Sequence, residues 1–216
     1  MVISEPKRRI GVMGGSFNPV HCGHLRVARD VKQRLELDHM FLMPAGQSPL
    51  KAQHSVSARH RVAMLELAIE AFPELELDLR EVNRAGRSFT VDSLSALRRE
   101  FGSEARLYFV IGDDCLASLH QWRRWKDIVS FANLIIAKRP GPFPPPEHEV
   151  EAWLKSTQVD CDIVGSMPSG GVARMDCALL DISSTQLRSG LEGHDALNQV
   201  IPEPVIEYIR HYRLYR

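Results

Sequence analysis

GVMGGSFNPVHCGHLRVARD, Gly11 to Asp30, joins a short apolar run to an amphipathic segment through glycines, a proline and two histidines. The apolar run, RRIGVM, is typical of a buried strand, and HLRVARDVKQRLEL has the period of an amphipathic helix. A strand followed directly by a helix begins a βαβ unit, and such units build parallel sheets. The stretch therefore predicts an α/β protein and marks the carboxyl end of its first strand.

The alternation of strand-like and helix-like segments continues along the chain. Further apolar runs of strand length are HMFLMP, ELELDLR, ARLYFVIG, ANLIIAKR, DIVGS and VARMDCALL. The proline-rich PGPFPPP, Pro140–Pro146, must be a loop, because proline lacks the N–H that helices and sheets use. The alternation favours a Rossmann-like, doubly wound parallel sheet with helices on both faces. We expect one domain over residues 1–216, with a C-terminal helical segment from about residue 184 packed on it.

Segments with helical periodicity lie between these strands. They are SARHRVAMLELAIEAF, TVDSLSALRREF, a pair around LASLHQW and WKDIVSF, SSTQLRSGL and PVIEYIRHYRLY. In the first of these segments, Ser57 is placed to cap the helix start. The apolar positions expected on its buried face are Val62, Leu65, Ile69 and Phe72.

Composition and charge describe an ordinary enzyme-sized chain. The 216 residues hold 27 Lys and Arg against 27 Asp and Glu, so net charge gives no sign of a nucleic-acid or acidic-membrane partner. MVISEPKRRI lacks the apolar core of a signal peptide, and no apolar run approaches bilayer-spanning length. The four cysteines form no CxxC pair, which argues against a zinc site or a disulfide framework. We expect a cytoplasmic enzyme; the sequence does not decide whether it is a homodimer.

The quoted stretch has the features of an anion site at the end of a strand. Gly14 and Gly15 can turn sharply and let a ligand approach the backbone, because no Cβ is in the way. Pro19 stiffens the turn before the helix. His21 and His24 are three residues apart, so they share one face at the helix start, where backbone amides favour an anion. Phosphate is the ligand that this combination suits best.

Other interpretations of this stretch stay open on its residues alone. A loop with glycines and a proline is often only a turn, and His-x-x-His is also a pattern for a metal pair. The spacing differs from HExxH and no third ligand stands nearby in sequence, which disfavours a metal. GxGxxG and GxxxxGK[ST] are not present, so neither a dinucleotide fold nor a P-loop is predicted. Gly23 is expected to leave room between the histidines for a bulky group.

A second candidate anion site lies near the C-terminus, in ISSTQLRSGL. Ser183, Ser184 and Thr185 place hydroxyls at a predicted helix start, and Arg188 follows about one turn later. Hydroxyls there cap free amides, and the arginine adds a forked cation to the same end. An ordinary N-cap with a solvated arginine has the same pattern.

Both stretches resemble signatures of the nucleotidylyltransferase superfamily. GSFNPVHCGH is similar to G-x-F-D-P-x-H-x-G-H, with Asn18 where the family often has Asp, and ISSTQLR is similar to I-S-S-T-x-[IL]-R. The resemblance implies that His21, His24 and Arg188 act on the phosphates of a nucleoside triphosphate. The other ATP-binding residues that it implies are Gly14, Gly15, Ser16, Phe17, Ser183 and Ser184.

Three stretches between these motifs are candidates for holding the second substrate. PAGQSPLK, Pro44–Lys51, follows a strand and ends in a lysine that reaches either a phosphate or solvent. RSFTVDSL opens a helix with Thr90 as its expected cap, and helix amides suit a carboxylate better than a neutral amide. GDDCLASLHQWRRW begins at a strand end, where aspartates bind ribose hydroxyls or a metal, and its tryptophans offer flat faces to a ring.

These stretches resemble the acceptor site of the nicotinate-mononucleotide adenylyltransferases. PAGQSPLK is similar to their P-x-x-x-P-x-K/H loop, SFT to an S-Y-T run that meets the nicotinate carboxylate, and GDDCLASLHQWRRW to a G-x-D and W-x-x-W segment. The resemblance implies that Trp122 stacks on the pyridine ring, whereas Trp125 is expected in the core. The acceptor-binding residues that it implies are Ser16, Lys51, Thr90, Gly112, Asp114, Trp122 and Arg139.

The implied reaction is attack by the 5′-phosphate of nicotinate mononucleotide on the α-phosphorus of ATP. Pyrophosphate leaves, and nicotinate adenine dinucleotide (deamido-NAD) forms, a step in NAD biosynthesis. No covalent enzyme intermediate is needed, because the nucleophile is already an anion. Mg²⁺ is expected as a cofactor that the ATP phosphates mainly hold. Nicotinamide mononucleotide or phosphopantetheine as acceptor, or a non-catalytic nucleotide sensor on the same fold, are the alternatives.

Overall fold

The computed structural model describes residues 8–47, 56–138, 143–177, 184, 187 and 200–215. Within these ranges, parallel strands form one six-stranded sheet. The strands are β1 (Arg9–Gly15), β2 (His39–Pro44), β3 (Glu76–Leu77), β4 (Arg106–Gly112), β5 (Asn133–Ala137) and β6 (Val172–Met175). Their order is β3-β2-β1-β4-β5-β6, with every pairing parallel. This order confirms the predicted doubly wound sheet and puts β1 and β4 where the strand order reverses.

Helices cover both faces of this sheet. The α-helices in the described part of the chain are α1 (Cys22–Arg34), α2 (Ala58–Ile69), α3 (Thr90–Phe101), α4 (Ile128–Phe131), α5 (His148–Thr157), α6 (Cys161–Val164) and α7 (Glu203–His211). The segments Asp113–Gln121 and Trp125–Asp127 after β4 are 3₁₀ helices. None of these helices is both long and apolar enough to cross a bilayer.

Two apolar cores, one on each face of the sheet, hold the layers together. One core packs α1, α2 and α7 on the sheet through Leu25, Leu65 and Ile206. The other packs α3 and the first 3₁₀ helix through Leu94 and Leu119. The central strands are buried on both sides, so β5 is buried at every position, and their sequences read as continuous apolar runs rather than alternating ones.

Three predicted strands differ from the observed structure. The strand predicted at DIVGS is wrong, because Cys161–Val164 is the short helix α6. Ile163 is 50% exposed while Val164 is buried, and so short an apolar run does not distinguish the two periods. ELELDLR contributes only Glu76–Leu77, at the edge of the sheet. VARMDCALL is a strand over Val172–Met175, and its last residues, 178–180, lie outside the described ranges.

The structure has helices where they were predicted within the described residues. One of them buries other residues than predicted, and one further helix was not predicted. Ser57 caps α2 as predicted, because its Oγ accepts from the N–H of His60 at 3.5 Å. The fully buried positions of α2 are Arg61, Met64, Leu65 and Ala68. Of the four apolar residues predicted on that face, only Leu65 is fully buried. The helix α5 after the proline loop was not predicted at all.

The C-terminal segment packs against the rest of the molecule. A 2.9 Å hydrogen bond joins Nδ1 of His60 in α2 to the hydroxyl of Tyr208 in α7. The N–H of Cys22, at the start of α1, donates to the carbonyl oxygen of Val200 at 2.8 Å. The single domain over residues 1–216 stays a prediction.

Candidate active site

A cavity of about 440 Å³ opens at the carboxyl ends of the central strands. Its walls come from the loop after β1, the first turn of α1, the start of α3 and the 3₁₀ helix after β4. Ligands of doubly wound sheets bind at this place, where the strand order reverses. The predicted site residues on its walls are Gly14, Gly15, Ser16, His21, His24, Thr90, Gly112, Asp114 and Trp122. The structure thus brings described residues of both predicted subsites into one cavity.

Four predicted site residues cannot be placed in this way. Lys51, Arg139, Ser183 and Arg188 lie outside the described residues. Their assigned roles therefore stay predictions.

His21 and His24 form a stacked pair at the start of α1. Their ring centroids are 3.6 Å apart and the rings are tilted by 30°, so the predicted shared face is confirmed. His21 is the N-cap residue of α1 and is 2% exposed. Its backbone N–H donates to Nδ1 of His24 at 3.3 Å. Because Nδ1 accepts this bond, the neutral His24 ring carries its proton on Nε2 and is a donor there.

The glycine pair ends the strand rather than turning the chain. β1 continues through Gly15, which pairs with Pro44 of β2, so the sharp turn predicted at Gly14 and Gly15 is wrong. A Cβ on Gly14 would lie 3.0 Å from the ring of Phe109, and one on Gly15 would lie 3.1 Å from the ring of Phe17. A side chain at either position would therefore force an aromatic ring of the protein to shift by a few tenths of an ångström.

Gly23 and Phe17 both pack against the histidine pair. A Cβ on Gly23 would lie 3.0 Å from the ring of His21, so the room predicted there is taken by that ring. Phe17 is 1% exposed, with its ring edge-on to His24 at 5.0 Å between centroids. The Phe17 ring is therefore buried, and the role of this residue in binding ATP stays a prediction.

The C-terminal half of the chain closes over the loop after β1. The hydroxyl of Ser184 donates to the carbonyl oxygen of Pro19 at 3.0 Å, so the second motif contacts the first. The hydroxyl of Tyr215 donates to Oδ1 of Asn18 at 2.6 Å. Asn18, 6% exposed, needs an acceptor oxygen here, and an amide supplies one as well as the carboxylate usual in the family.

The acceptor side of the cavity is built from the start of α3 and the segment after β4. α3 begins at Thr90 itself, with Phe89 in the N-cap position, so the cap predicted at Thr90 is wrong by one residue. Trp122 lies on the cavity wall, edge-on to Phe109 at 6.4 Å between centroids. Trp125 is 8% exposed and belongs to the core, as predicted.

Two charged residues on the acceptor wall were missed in the sequence. Glu81 is 6% exposed, and its Oε1 accepts from the hydroxyl of Ser93 at 2.7 Å. Burial raises the pKa of this carboxyl, and the hydrogen bond from Ser93 opposes the shift. The guanidinium of Arg123 lies 4.7 Å from the centre of the Phe89 ring and 3.5 Å from Asp92 Oδ2. Arg123 adjoins Trp122 in sequence, but a charged residue beside a tryptophan gives no signal of its own.

A third missed residue, Arg61, lies behind the cavity. Its side chain is 1% exposed and donates to backbone carbonyl oxygens of the loops after β1 and β2. The sequence did carry a sign of it, because Arg61 lies on the same helix face as the buried residues Met64, Leu65 and Ala68. A charged side chain on the buried face of a packed helix is almost always paired with specific hydrogen-bonding or charged partners.

The described residues offer neither a cluster of metal ligands nor an ionised cysteine among those with a raised pKa. Among them, no group of three or more His, Cys, Asp and Glu side chains could hold a metal ion. The four cysteines are free. Burial raises the pKa of Cys22 and Cys161, and raises that of Cys177 to about 11. These three are therefore neutral thiols near pH 7, a poor state for a nucleophile.

Comparisons of the sequence and the fold with known proteins point to one family. A profile of the family described as cytidylyltransferase-like matches residues 12–190. A probable nicotinate-nucleotide adenylyltransferase of Cellvibrio japonicus is 41% identical over 207 residues, covering 96% of this chain and 98% of the relative. One from Chromobacterium violaceum is 42% identical over 212 residues, covering 96% and 99%. A solved structure, Plasmodium falciparum nicotinic acid mononucleotide adenylyltransferase complexed with NaAD, has a TM-score of 0.74 at 20% identity, covering 96% and 97% of the two chains, which shows the shared fold.

Proposed function

The chain belongs to the cytidylyltransferase-like family and, within it, to the nicotinate-nucleotide adenylyltransferases, and we propose that it transfers the adenylyl group of ATP to nicotinate mononucleotide. The products are deamido-NAD and pyrophosphate, and the reaction is a step in NAD biosynthesis. The observation that carries the proposal is the cavity where the strand order reverses. Its walls combine the stacked pair of His21 and His24 with Thr90 and Trp122.

In the proposal, the phosphates of ATP bind at the start of α1. The helix amides offer partial positive charge there. Because Nδ1 of His24 accepts from the backbone, Nε2–H is the donor that the neutral ring presents. A preorganised donor at the transferring group contributes about 2.7–4 kcal/mol to catalysis. Ser183, Ser184 and Arg188 are assigned to the same phosphates, the arginine as a forked cation. The nucleotide phosphate of the acceptor attacks directly, without a covalent enzyme intermediate.

The nicotinate mononucleotide is proposed to bind between α3 and the segment after β4. Trp122 offers its ring face to the pyridine, and Thr90 lines the cavity at the positively polarised start of α3. Arg123, on the same wall, adds positive charge beside Phe89. These charges favour the carboxylate of nicotinate over the neutral amide of nicotinamide. Lys51 and Arg139 are assigned to the acceptor phosphate, and Gly112 and Asp114 to its ribose.

Mg²⁺ is proposed to enter with ATP as part of the substrate complex. Mg²⁺ in nucleotide enzymes is held by one or two carboxylates together with substrate phosphates. Here the ATP phosphates are proposed to hold most of its coordination sites, and the metal would neutralise phosphate charge when bound. The cytoplasmic location and the homodimer considered from the sequence stay predictions.

The test is a chromatographic assay of the purified protein with ATP, Mg²⁺ and one acceptor at a time. The acceptors are nicotinate mononucleotide, nicotinamide mononucleotide and phosphopantetheine. We expect deamido-NAD and pyrophosphate in equal amounts, with the amide used far less well. Equal use of acid and amide would refute the role of Thr90 and Arg123 while keeping the enzyme class. Tight ATP binding with no product from any acceptor would support the nucleotide sensor instead.

A further inference from the structure

Arg61 is a buried cation between the two halves of the site. It lies near the start of α2, and its side chain is 1% exposed. We propose that Arg61 is a positioning residue for adenylyl transfer, which holds the loop after β1 at a fixed distance from the loop after β2. The inference rests on the proposed function, because the transfer reaction is what the positioning serves.

Three hydrogen bonds from the guanidinium connect the two loops. Nη1 donates to the carbonyl oxygen of Ser16 at 2.8 Å. Nη2 donates to the carbonyl oxygens of Ala45 at 2.7 Å and Gly46 at 3.4 Å. The guanidinium is a rigid planar fork, so the loops cannot move apart without breaking at least one of these bonds.

The second loop continues this link to the acceptor side of the cavity. The N–H of Ser88 donates to the carbonyl oxygen of Gln47 at 3.0 Å. Ser88 and Thr90 both lie on the cavity wall, two residues apart at the start of α3. Arg61 therefore sets the separation between Ser16 in the phosphate-binding loop and the helix start where the acceptor is proposed to bind.

The chemistry of this arginine argues for a role beyond filling space. Burial lowers the pKa of Arg61, and nearby Tyr215 opposes that shift, so the cation is held at a cost in desolvation. Its acceptors in the two loops are neutral carbonyl oxygens. A methionine is shorter, but it is unbranched and fills much of such a space without burying a charge. The N–H of Ala45 already donates to the carbonyl oxygen of Gly15 at 2.8 Å at the end of β1. What the arginine adds is a directed connection from a side chain to both loops beyond that point.

A positioning role predicts a particular kinetic signature. Adenylyl transfer requires the attacking phosphate oxygen to be aligned with the α-phosphorus, and a misplacement of about 1 Å costs about 100-fold in rate. Each substrate binds mainly to its own side of the cavity. A loosened link should therefore lower kcat while leaving the KM of each substrate nearly unchanged.

Arg98 provides a matched control in the same chain. It is also held by backbone carbonyl oxygens, those of Ala105, Phe131 and Pro168, at 2.7–2.8 Å. It lies in the last turn of α3, at the opposite end of that helix from the cavity. Its replacement should cost stability through lost hydrogen bonds without disturbing the alignment of substrates.

The experiment compares Arg61→Met and Arg61→Lys with Arg98→Met and Arg98→Lys. Thermal unfolding identifies a temperature at which every variant is folded, and steady-state kinetics with ATP and nicotinate mononucleotide are then measured there. We expect Arg61→Met to lower kcat about 100-fold with both KM values within about 3-fold of wild type. Arg61→Lys, which keeps the charge and one donor group, recovers part of that loss. The Arg98 variants unfold at lower temperature but keep kcat within about 2-fold.

Three results would overturn the proposal. The first is a kcat for Arg61→Met within about 3-fold of wild type. The second is a fall in kcat/KM for Arg61→Met that comes from a raised KM alone. The third is a fall in kcat for Arg98→Met as large as that for Arg61→Met. If Arg61→Met does not fold, Arg61→Lys against Arg98→Lys makes the same comparison. A wild-type protein without turnover refutes the proposed function and this inference with it, whereas normal wild-type turnover with an unaffected Arg61 variant refutes the inference alone.

Discussion

Gly46→Ala tests how tightly the loop after β2 packs against the acceptor side of the cavity. An added Cβ would lie 2.4 Å from the carbonyl oxygen of Glu81 and 2.8 Å from Oγ of Ser88. Real Cβ atoms essentially never come closer than 3.0 Å to such atoms. The serine hydroxyl can rotate away, but the carbonyl oxygen is backbone, so the loop and the Glu81 segment must separate by roughly 0.6 Å, the difference between 2.4 and 3.0 Å.

The size of the effect follows from this displacement. Overpacking of this kind costs about 1–3 kcal/mol, which for a chain of this length corresponds to a fall in Tm of roughly 2–12 °C. Since misplacement by about 1 Å costs about 100-fold in rate, we expect kcat to fall about 10-fold or more. Differential scanning calorimetry and steady-state kinetics on the same preparation measure both quantities.

Gly165→Ala is the matched control for this prediction. Its Cβ would lie 3.4 and 3.5 Å from the carbonyl oxygens of Cys161 and Asp162, which is ordinary contact. This variant should change stability by no more than about 0.5 kcal/mol and leave kcat unchanged. If Gly46→Ala behaved like Gly165→Ala in both assays, the packing argument for the loop after β2 would be wrong.

Three further predictions concern the acceptor wall and the C-terminal closure. Burial raises the pKa of Glu81 in the folded protein, so as pH rises this carboxyl ionises first in the unfolded chain, near pH 4.5. The wild-type protein should therefore lose stability as pH rises from 4.5 through the raised pKa. In urea titrations, the stability of Glu81→Gln relative to wild type should grow over this pH window, and a constant difference would count against the argument. Trp122→Ala should raise the KM of nicotinate mononucleotide by about 3- to 10-fold, and Trp122→Phe should restore much of it; an equal rise in the KM of ATP would contradict a ring-stacking role. Tyr215→Phe removes the 2.6 Å hydrogen bond to Asn18 and should lower the free energy of unfolding by about 1–2 kcal/mol. The double variant with Asn18→Ala should lose less than the sum of the two single losses, whereas strict additivity would show that the two side chains do not interact.

The features that the sequence predicted well are those encoded by local pattern. Strand–helix alternation identified the doubly wound sheet, because buried parallel strands are apolar at every position and stand out as runs. The spacing of His21 and His24 predicted one shared helix face for the same local reason. The cavity followed from topology, since the carboxyl ends of parallel strands meet at one edge.

The features that could not be predicted depend on contacts between distant parts of the chain. Arg61 reaches Ser16 across 45 positions, and Tyr215 reaches Asn18 across 197, so no local pattern marks either bond. Gly14 and Gly15 were predicted to turn because glycine permits it. The structure uses their lack of a Cβ to admit aromatic rings, which periodicity does not reveal.

We propose above that the histidine pair at the start of α1 acts in adenylyl transfer to nicotinate mononucleotide. The most direct test is the turnover of His24→Ala with ATP, Mg²⁺ and nicotinate mononucleotide. His60→Ala serves as the control, because His60 contacts Tyr208 in α7 instead of lining the cavity. We expect kcat to fall about 100- to 1,000-fold for His24→Ala and to stay near the wild-type value for His60→Ala. Near wild-type production of deamido-NAD by a folded His24→Ala protein would contradict this proposal.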